Sequence, residues 1–561
     1  MLARVQSYVL HGIDALPVEV EIDCDIRNSE TKSMVVGLPD LAVKESIERV
    51  KSALANSGFT FPGGRVLINL APAEVKKEGP LYDLPIAVGL LLAQGVLSPV
   101  RVRKDLERAM SPAAAAASPG HAAKGAGAGA THSADRRGPN GSGAGSGLRD
   151  EGLDARDLVF AGELALDGRL RPVKGVIAMA AMAKARGARG VVVPKANAAE
   201  AAVVVGIEAI GVSTLAEVVG LLTGHLEAQP HAPVDVVGLL RTAEAPIDFA
   251  DVRGQEAVKR ALVVAAAGGH NIIMLGPAGT GKTMMARALA GILPALTPDE
   301  ALEVTRIYSA AGAMPSGDQQ RGLVTTRPVR SPHHTASGPA IVGGGAVPRP
   351  GEISLAHHGV LFLDELPEFP RDVLETLRQP LEERSVTIAR SHSAVKFPAN
   401  FMLVAAMNPT PKGDMPADEV GRRAMDRYLA KISGPLIDRI DIHVEAPAVP
   451  FKQLSGAPKG TSSAQMRELV SKARARQIAR RVSGGLPNAR LTGKMLDQLA
   501  PFSTDAHQML AQAMGELGLS ARAYDKIRRV ARTIADLDGS ESIEAAHVAE
   551  AVSYRLLDRK V

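Results

Sequence analysis

The chain has 561 residues, of which 46% are hydrophobic and only 3% aromatic, so it is long enough for several domains with aliphatic cores. Its 65 basic and 60 acidic residues give a net charge of +5, which permits a nucleic-acid partner without requiring one. The single cysteine, Cys24, excludes an internal disulfide and a cysteine zinc site within one chain, and we expect a cytoplasmic protein. The N-terminus lacks the apolar core of a signal peptide, and the longest apolar run, residues 84–97, is too short to span a bilayer.

The first part of the chain predicts an α/β layer that an insertion interrupts. Residues 111–150 are mainly Ala, Gly, Ser and Pro, and they cannot bury enough apolar surface to offset their ordering entropy, so we predict disorder. The alternative is a tail-like contact with nucleic acid through Lys124, Arg136 and Arg137. Periodicity predicts strands at 18–22, 66–70 and 190–194 and helices at 42–55, 83–92 and 176–185, and order resumes after the insertion at 158–160.

A phosphate-binding loop is the strongest signal in the chain. Its residues match the pattern G-x-x-x-x-G-K-[ST] at every fixed position, and they are Gly276, Pro277, Ala278, Gly279, Thr280, Gly281, Lys282 and Thr283. An apolar run at 271–275 predicts a strand before the loop, and 284–293 predicts a helix after it. That context argues against the alternative, a chance match. We expect Lys282 to reach the outer phosphates of ATP and the Thr283 hydroxyl to bind Mg²⁺.

Polar residues follow two further apolar runs that predict buried strands. Asp364 and Glu365 follow the run at 360–363, at the end of the strand where open α/β sheets bind ligands. We expect Asp364 to hold Mg²⁺ and Glu365 to orient the attacking water, the alternative being a solvated acidic turn. Asn408 follows the run at 401–406 and could hydrogen-bond the γ-phosphate or the water, unless it is an ordinary turn residue before Pro409.

Two stretches resemble the proteolytic domain of Lon proteases, namely 162–173 and 193–197. Those enzymes use a Ser–Lys dyad, and the two dyad positions fall at Leu81 and near Ile177 in this chain. Lys174 lies close to the second position, but no serine stands at its partner position. We therefore expect a Lon-like domain without peptidase chemistry.

Several further motifs lie at 330–337, 343–345, 348–357, 363–369 and 433–441. Together with the Lon-like domain before them, they resemble the ComM/YifB family of magnesium-chelatase-like AAA+ ATPases, and the resemblance covers nearly the whole chain except 111–150. It implies an AAA+ P-loop NTPase core with a helical lid, preceded by a Lon-protease-like α/β domain. We place the Lon-like domain at 1–225, the ATPase core at 247–455 and the lid at 456–561, and we take 226–246 as a linker because it shows little pattern.

The same resemblance implies roles for two arginines and a ring of subunits. Arg439 matches an arginine finger that reaches the nucleotide of the neighbouring subunit, with local pairing to Asp438 or Asp441 as the alternative. Arg522 fits the sensor-2 position, or is a solvated charge at a helix start. The expected assembly is a hexamer that uses ATP and Mg²⁺ and acts as a branch-migration helicase in recombination of incoming DNA during natural transformation.

Candidate DNA contacts follow from a predicted β-hairpin at 383–398, which related helicases point into the central channel. Arg390, His392 and Lys396 are its candidate phosphate contacts, and a solvated hairpin tip is the alternative. A second basic run on a predicted helix is expected to be a solvated face, and it comprises Arg474, Arg476, Arg480 and Arg481.

Metal sites other than Mg²⁺ are not expected. The family often has cysteine pairs after the asparagine in the sensor-1 role, which Asn408 fits here, and before the arginine finger. This chain lacks them, so we expect no zinc. Neighbouring histidines occur as His333–His334 and His357–His358. We expect the two rings of each pair to project in different directions, so that they form no metal site and serve instead in a pore loop or between subunits.

Three rival functions remain open at this point. The chain could be an ATPase that remodels a protein partner or assists metal insertion, without DNA. A Lon-type protease would need a nucleophile, which Leu81 cannot supply. A non-catalytic scaffold would not need the complete set of ATPase residues.

Overall fold

A computed structural model of the protein describes residues 2–25, 32–97, 153–243, 247–345, 347–390, 393–410, 423, 428–449, 460–480 and 485–558. The predicted insertion at 111–150 lies outside these residues. Among the described helices, none is long and apolar enough to cross a membrane.

The strands are, in chain order, β1 (Leu2–His11), β2 (Asp14–Asp25), β3 (Lys32–Val36), β4 (Arg65–Ala71), β5 (Leu158–Phe160), β6 (Glu163–Leu164), β7 (Leu170–Arg171), β8 (Gly190–Pro194), β9 (Glu208–Val212), β10 (Ile272–Leu275), β11 (Val329–Arg330), β12 (Gly343–Gly344), β13 (Arg349–Pro350), β14 (Val360–Leu363), β15 (Ser385–Arg390), β16 (Ser393–Pro398), β17 (Met402–Met407) and β18 (Ile442–Glu445).

The α-helices are α1 (Leu41–Asn56), α2 (Asp83–Ala93), α3 (Val176–Ala185), α4 (Ala198–Ala202), α5 (Leu215–Thr223), α6 (Val236–Arg241), α7 (Glu256–Gly268), α8 (Lys282–Ala288), α9 (Pro298–Ala311), α10 (Ser316–Gln319), α11 (Gly338–Val342), α12 (Glu352–Leu355), α13 (Arg371–Thr376), α14 (Arg378–Glu383), α15 (Gly434–Ile437), α16 (Ser463–Ala479), α17 (Gly493–Leu499), α18 (Thr504–Glu516), α19 (Ala521–Asp538) and α20 (Ala545–Ser553).

The N-terminal sheet has seven strands in the order β3-β4-β2-β1-β5-β8-β9. Strand β2 runs antiparallel to both β1 and β4, whereas β5, β8 and β9 continue from β1 in parallel. One face of this sheet packs against α1 and α2, so residues in β2 and β4 alternate between buried and outward positions. Periodicity of this kind is readable in the sequence, and the predicted elements in this region are confirmed. Strand β1 was not predicted, although its side chains alternate in the same way over its first half.

The second sheet is entirely parallel, with the order β11-β14-β17-β10-β18. Its inner strands β10, β14 and β17 are buried on both faces, which is typical of a parallel sheet covered on two sides. One face packs against α7, α8 and the C-terminal helices, and these share one continuous hydrophobic core. The other face packs against the hairpin of β15 and β16.

Two segments differ from simple expectation. The helix predicted at 284–293 is α-helical only to Ala288 and continues as a 3-10 turn over Leu289–Gly291, so the predicted length was wrong. The stretch 226–246 contains α6, whose Leu240 is buried against residues of both sheets' helices.

The two sheets are joined by a polar and apolar contact between α9 and the N-terminal layer. The Ser309 hydroxyl of α9 donates to the buried carboxylate of Glu200. The backbone carbonyl oxygen of Ser309 accepts from the N–H of Gly175 at 3.2 Å. Burial raises the pKa of Glu200, while its hydrogen bond to Ser309 opposes that rise. At the β1–β2 turn, Ile13 packs against the core beneath the β15–β16 hairpin.

Candidate nucleotide site

The phosphate-binding loop joins β10 to α8, as the sequence predicts, and its glycines are needed for two different reasons. Gly279 and Gly281 have φ angles of 80° and 85°, which side chains rarely adopt. Gly276 has an ordinary backbone, but a Cβ there would lie 2.1 Å from the carbonyl oxygen of Ala446. The loop therefore depends on glycine both for its turn and for its close approach to the chain after β18.

Lys282 lies at the centre of the site. Its Nζ donates to the carbonyl oxygens of Gly276 and Pro277, both at 2.7 Å, and lies 3.2 Å from Oδ1 of Asn408. Burial lowers the pKa of the Lys282 ammonium, and Asp364 opposes that effect. The ammonium therefore lies between the phosphate-binding loop and Asn408, the residue that follows β17. The predicted phosphate-binding residues and the predicted γ-phosphate contact of Asn408 thus lie side by side.

Thr283 and Asp364 form the second half of the site. The Thr283 hydroxyl donates to Oδ2 of Asp364 at 2.7 Å, although the two residues are 81 positions apart. A hydroxyl beside a carboxylate is a hard oxygen donor pair of the kind that Mg²⁺ binds together with nucleotide phosphates. The residues present therefore fit MgATP: Lys282 would hold the phosphates, and Thr283 and Asp364 would hold the cation.

Glu365 has an unusual backbone. Its φ is 53°, in the left-handed region, and its N–H donates to Oδ1 of Asp364 at 3.0 Å. Backbone of this kind costs on the order of 1–3 kcal/mol for a residue other than glycine, and it concentrates at functional sites. Its carboxylate lies 3.2 Å from Nδ1 of His334, a contact that sequence reasoning missed because 31 residues separate the two.

Arg439 and Arg522 lie at the opposite edge of the same sheet. The carbonyl oxygen of Arg439 accepts from Nδ2 of Asn271, the residue before β10, whereas the loop follows the other end of β10. Five residue steps along this strand separate the two edges by about 16 Å. The structure therefore brings together Lys282, Thr283, Asp364, Asn408 and the adjacent Glu365, but it does not bring Arg439 or Arg522 to them.

Both arginines have acidic partners within the same subunit. Arg439 donates to the carbonyl oxygen of Pro435 at 2.5 Å and pairs with Glu382 of α14. Asp438 instead accepts from Arg522 at 2.9 Å, which places the predicted sensor-2 residue beside the predicted finger. The alternative interpretation, a pair of Arg439 with Asp438 or Asp441, is not seen: Asp438 accepts from Arg522, and Asp441 faces His270.

The predicted hairpin is confirmed as β15 and β16, with Val386 opposite Phe397 and Arg390 opposite Ser393. Its inward side chains belong to the core, and Lys396 is exposed on the outer face. The Arg390 side chain and all of His392 lie outside the described residues. Of the three candidate DNA contacts, the structure thus describes the side chain of Lys396.

In the basic run on α16, Arg476 is exposed but Arg474 and Arg480 are partly buried, so the expected solvated face was wrong for these two residues. Arg476 and Arg480 both bind Asp536 of α19, because α16 packs directly against that helix. Arg474 turns to the other side and lines a cavity at the amino edge of the parallel sheet. Arg481 lies outside the described residues.

The expected divergence of the neighbouring histidines was also wrong. The ring centroids are 4.1 Å apart in each pair, and both His357 and His358 reach the same oxygen of Glu303, at 3.1 and 2.8 Å. In the second pair, His358 has a left-handed backbone with a φ of 55°, which differs from the regular geometry that the expectation assumed.

The three side chains lie close enough to suggest a metal site, but the hydrogen bonds of His357 argue against one. Its Nδ1 accepts from the backbone N–H of Asn400 at 2.9 Å, so the ring proton sits on Nε2 and points at Glu303. A nitrogen that carries a proton has no lone pair for a cation. Burial lowers the pKa of His357 to about 4, and the neighbouring His358 contributes to this lowering. The low pKa keeps the His357 ring neutral.

In the N-terminal layer, the two positions aligned with a Lon dyad are apolar. Ile177 is buried and Leu81 packs against two cores of the domain. Lys174 extends to α9, where its Nζ donates to the carbonyl oxygen of Ala311 at 3.4 Å. Ile177 and Lys174 thus contact the ATPase part of the chain, Leu81 packs within the N-terminal layer, and neither dyad position has a side chain that could act as the serine nucleophile.

The five-stranded parallel sheet, its phosphate-binding loop and the acidic and amide residues at its carboxyl edge define an AAA+ P-loop ATPase. The family models agree: "Magnesium chelatase, subunit ChlI" matches residues 248–454 and its C-terminal model matches 460–555. The model "Subunit ChlI of Mg-chelatase" matches 20–106 and 147–197.

Similar proteins extend over the whole chain. "Competence protein ComM" of Haemophilus influenzae is 39% identical over 100% of this chain and 98% of its own length. "Uncharacterized protein YifB" of Escherichia coli is 39% identical with the same coverage. The "Magnesium-chelatase 38 kDa subunit" of Cereibacter sphaeroides is 24% identical over 56% of this chain and 92% of its own length. The chain belongs to the ComM/YifB family of magnesium-chelatase-like AAA+ ATPases, and the family implies ATPase activity with ATP and Mg²⁺.

Proposed function

We propose that this protein is an ATP-driven DNA motor that works as a ring of identical subunits, and that its activity is branch migration during recombination of incoming DNA. The observation that carries the ring is the separation of the ATPase residues between the two edges of one sheet. Lys282 and Asp364 lie at the carboxyl edge, whereas Arg439 lies at the amino edge, about 16 Å away along β10.

A second copy resolves this separation. Phosphoryl transfer needs positive charge on the transferring group, and an arginine finger supplied by a neighbour contributes a factor of about 10³–10⁵ in rate. If the amino edge of one subunit faces the carboxyl edge of the next, Arg439 completes the neighbour's site. Arg522 sits beside it through Asp438 and approaches the same nucleotide. Head-to-tail contacts of this kind close into a ring when the rotation from one subunit to the next divides a full turn evenly.

The DNA part of the proposal rests on the family and on the hairpin. The relative named a competence protein covers the whole chain, and resemblance to its family implies a branch-migration helicase. The outer face of the hairpin presents Lys396, a phosphate contact that would not depend on sequence. Motion of the hairpin with ATP hydrolysis would then move DNA through the ring.

The experiment is ATP turnover with no DNA and with single-stranded, duplex and four-way-junction DNA, using Glu365→Gln as the inactive control. Stimulation that is strongest with branched or single-stranded DNA supports the motor. Turnover that is indifferent to every DNA contradicts it and favours the rival suggested by the magnesium-chelatase models, an ATPase that remodels a protein or assists metal insertion.

The shared site has its own test, in which two inactive variants are mixed. Lys282→Ala removes the phosphate contact of a subunit's own site, and Arg439→Ala removes the residue given to the neighbour. Mixing them pairs an intact loop with an intact Arg439 at about a quarter of the interfaces of a head-to-tail ring. Activity should therefore appear in the mixture. An inactive mixture of variants that still assemble would mean that Arg439 does not act on a neighbour.

A further inference from the structure

A cavity of about 570 Å³ lies at the amino edge of the parallel sheet, on the side away from the phosphate-binding loop. Its wall includes the residues just before β10, β14, β17 and β18, together with parts of α14, α16 and α19. Its basic lining residues are Arg327, Arg384, Arg439, Arg474, Arg490, Lys526 and Arg529. The acidic residues that line it are Glu300, Asp438 and Asp441.

The acidic residues of the lining already have partners. Glu300 binds Arg327 at 2.9 Å, Asp438 accepts from Arg522 outside the cavity, and Asp441 faces His270 at 3.3 Å. Most of the positive charge in the cavity is therefore not balanced by a carboxylate within ion-pair distance.

Lys526 and Arg529 contribute to this excess but donate to the backbone carbonyl oxygens of Ile440 and Leu491, whereas three further guanidinium groups have weaker partners or none. Within the described part of the chain, Arg384 has no side-chain hydrogen bond or ion pair, and Arg490 binds only the neutral amide oxygen of Asn400. Arg474 lies 3.5 Å from the amide oxygen of Gln477, and its buried Nε has no hydrogen-bond partner there. Guanidinium groups are almost never left in this way unless an anion or water completes them.

The three groups are close enough to repel one another. Burial lowers the pKa of Arg490 to about 10, with further lowering from Arg384 and Arg474. Burial also lowers the pKa of Arg474 to about 10, and the positive charge of Arg327 contributes to this lowering. Such a group of like charges is costly by itself and is stabilised by any anion that enters.

We propose that this amino-edge pocket binds phosphate groups of a di- or triphosphate, with Arg384, Arg474 and Arg490 as the contacts. Phosphate presents several charged oxygens to forked guanidinium donors, which is the geometry that arginine recognises best. The pocket is recessed, with these arginines partly buried, so it admits a terminal phosphate group more readily than the wide backbone of a DNA duplex.

The phosphate could come from two sources. A free nucleotide or diphosphate could enter from solution, which would make the pocket a second anion site of each subunit. Alternatively, the phosphates of ATP held by the neighbouring subunit could reach it, since Arg439 lines the same pocket. The second source rests on the ring proposed above, whereas the first does not.

The test uses the full chain and inorganic diphosphate as the probe. Lys282→Ala removes the main phosphate contact of the loop, and binding is measured by calorimetry and by the rise in melting temperature. If the source is solution, diphosphate still binds to Lys282→Ala, and adding Arg474→Gln or Arg490→Gln weakens it at least about tenfold, or 1.4 kcal/mol. The matched controls are Lys472→Gln on the exposed face of α16 and Lys494→Gln on α17, which should change nothing.

If the source is the neighbour, Lys282→Ala shows no diphosphate binding. In the otherwise native chain, Arg474→Gln then raises the KM for ATP at least about tenfold while Lys472→Gln leaves it unchanged. This arm depends on the ring, and the mixing experiment above reports separately whether the ring itself has failed.

A purely structural role for these arginines gives a different result. Without added phosphate, Arg474→Gln removes one of several repelling charges, so its melting temperature should equal or exceed that of the native chain. A marked fall in melting temperature, with unchanged diphosphate binding and unchanged KM, would overturn the proposal. So would a variant that loses DNA binding but keeps both phosphate readouts, since the pocket would then serve nucleic acid.

Discussion

The contact between Arg439 and Glu382 should restrain the arginine that the proposed ring needs. In one subunit Arg439 pairs with Glu382 and with the carbonyl oxygen of Pro435, and its side chain is 18% exposed. To reach a neighbour's nucleotide, the guanidinium has to leave the Glu382 carboxylate. Glu382→Gln removes the charge of that partner and keeps its shape, so we expect ATP turnover to rise.

The size of the increase follows from the exposure of the pair. The Glu382 side chain is 62% exposed, and ion pairs of this kind contribute at most about 1 kcal/mol. Releasing it can therefore raise the fraction of available Arg439 by no more than about fivefold. Arg439→Ala, by contrast, should lower turnover by about 10³-fold or more, because it removes the transition-state contact itself.

The assay is steady-state ATP turnover at saturating Mg²⁺ and at a protein concentration where the ring is formed. Glu383→Gln, one residue further on the same helix, is the matched control and should leave turnover unchanged. The double variant Glu382→Gln/Arg439→Ala should match Arg439→Ala alone, because the only effect of Glu382 is through Arg439.

Two results would refute this reasoning. A large fall in turnover for Glu382→Gln would mean that Glu382 positions Arg439 for its action instead of restraining it. An increase that persists in the double variant would mean that Glu382 acts through some other group.

Three further changes have expected outcomes. Thr283→Ala should lower turnover about 10–100-fold and raise the Mg²⁺ requirement, because Asp364 loses its partner, whereas Thr283→Ser should restore both in an Mg²⁺ titration. Thermal unfolding should show stability falling as the pH drops from about 6.5 towards the folded pKa of His357, about 4, since the unfolded chain binds that proton first; His357→Gln should flatten this part of the profile. Gly12→Ala should lower the melting temperature relative to Gly58→Ala, because φ is positive at both but only at Gly12 would a Cβ meet Val395, at 2.5 Å.

The ATPase residues could be predicted because each follows a local signal. The loop motif at Gly276 to Thr283 is continuous in sequence, and Asp364 and Asn408 each follow an apolar run that ends at the same edge of the sheet. The carboxyl ends of parallel strands meet at one edge, so residues far apart in sequence could be expected to meet. The 2.7 Å contact between Thr283 and Asp364 agrees with that expectation.

The side-chain pairs could not be predicted, because they depend on how separate elements pack. Nothing in the sequence links Glu382 to Arg439 or His334 to Glu365, which meet only when helices and loops are placed around the sheet. The prediction for the paired histidines was wrong for a local reason. Neighbouring side chains diverge in regular helices and strands, and the prediction assumed such a backbone. His358 has a left-handed backbone and obeys neither.

The carboxyl and amino edges of the parallel sheet carry different sets of charged residues, so the two edges suit different ligands. At the carboxyl edge, Lys282 is the cation of a site that also contains Asp364 and Glu365, so it is built to hold a polyphosphate together with a divalent cation. At the amino edge, arginines without carboxylate partners dominate, so this edge suits an anion without a cation. If one copy presents its MgATP to the amino edge of the next copy, negative phosphate meets arginines that lack carboxylate partners. If two amino edges face each other, arginine meets arginine. The electrostatics of one subunit therefore favour a head-to-tail arrangement over a symmetric face-to-face pair at the amino edge.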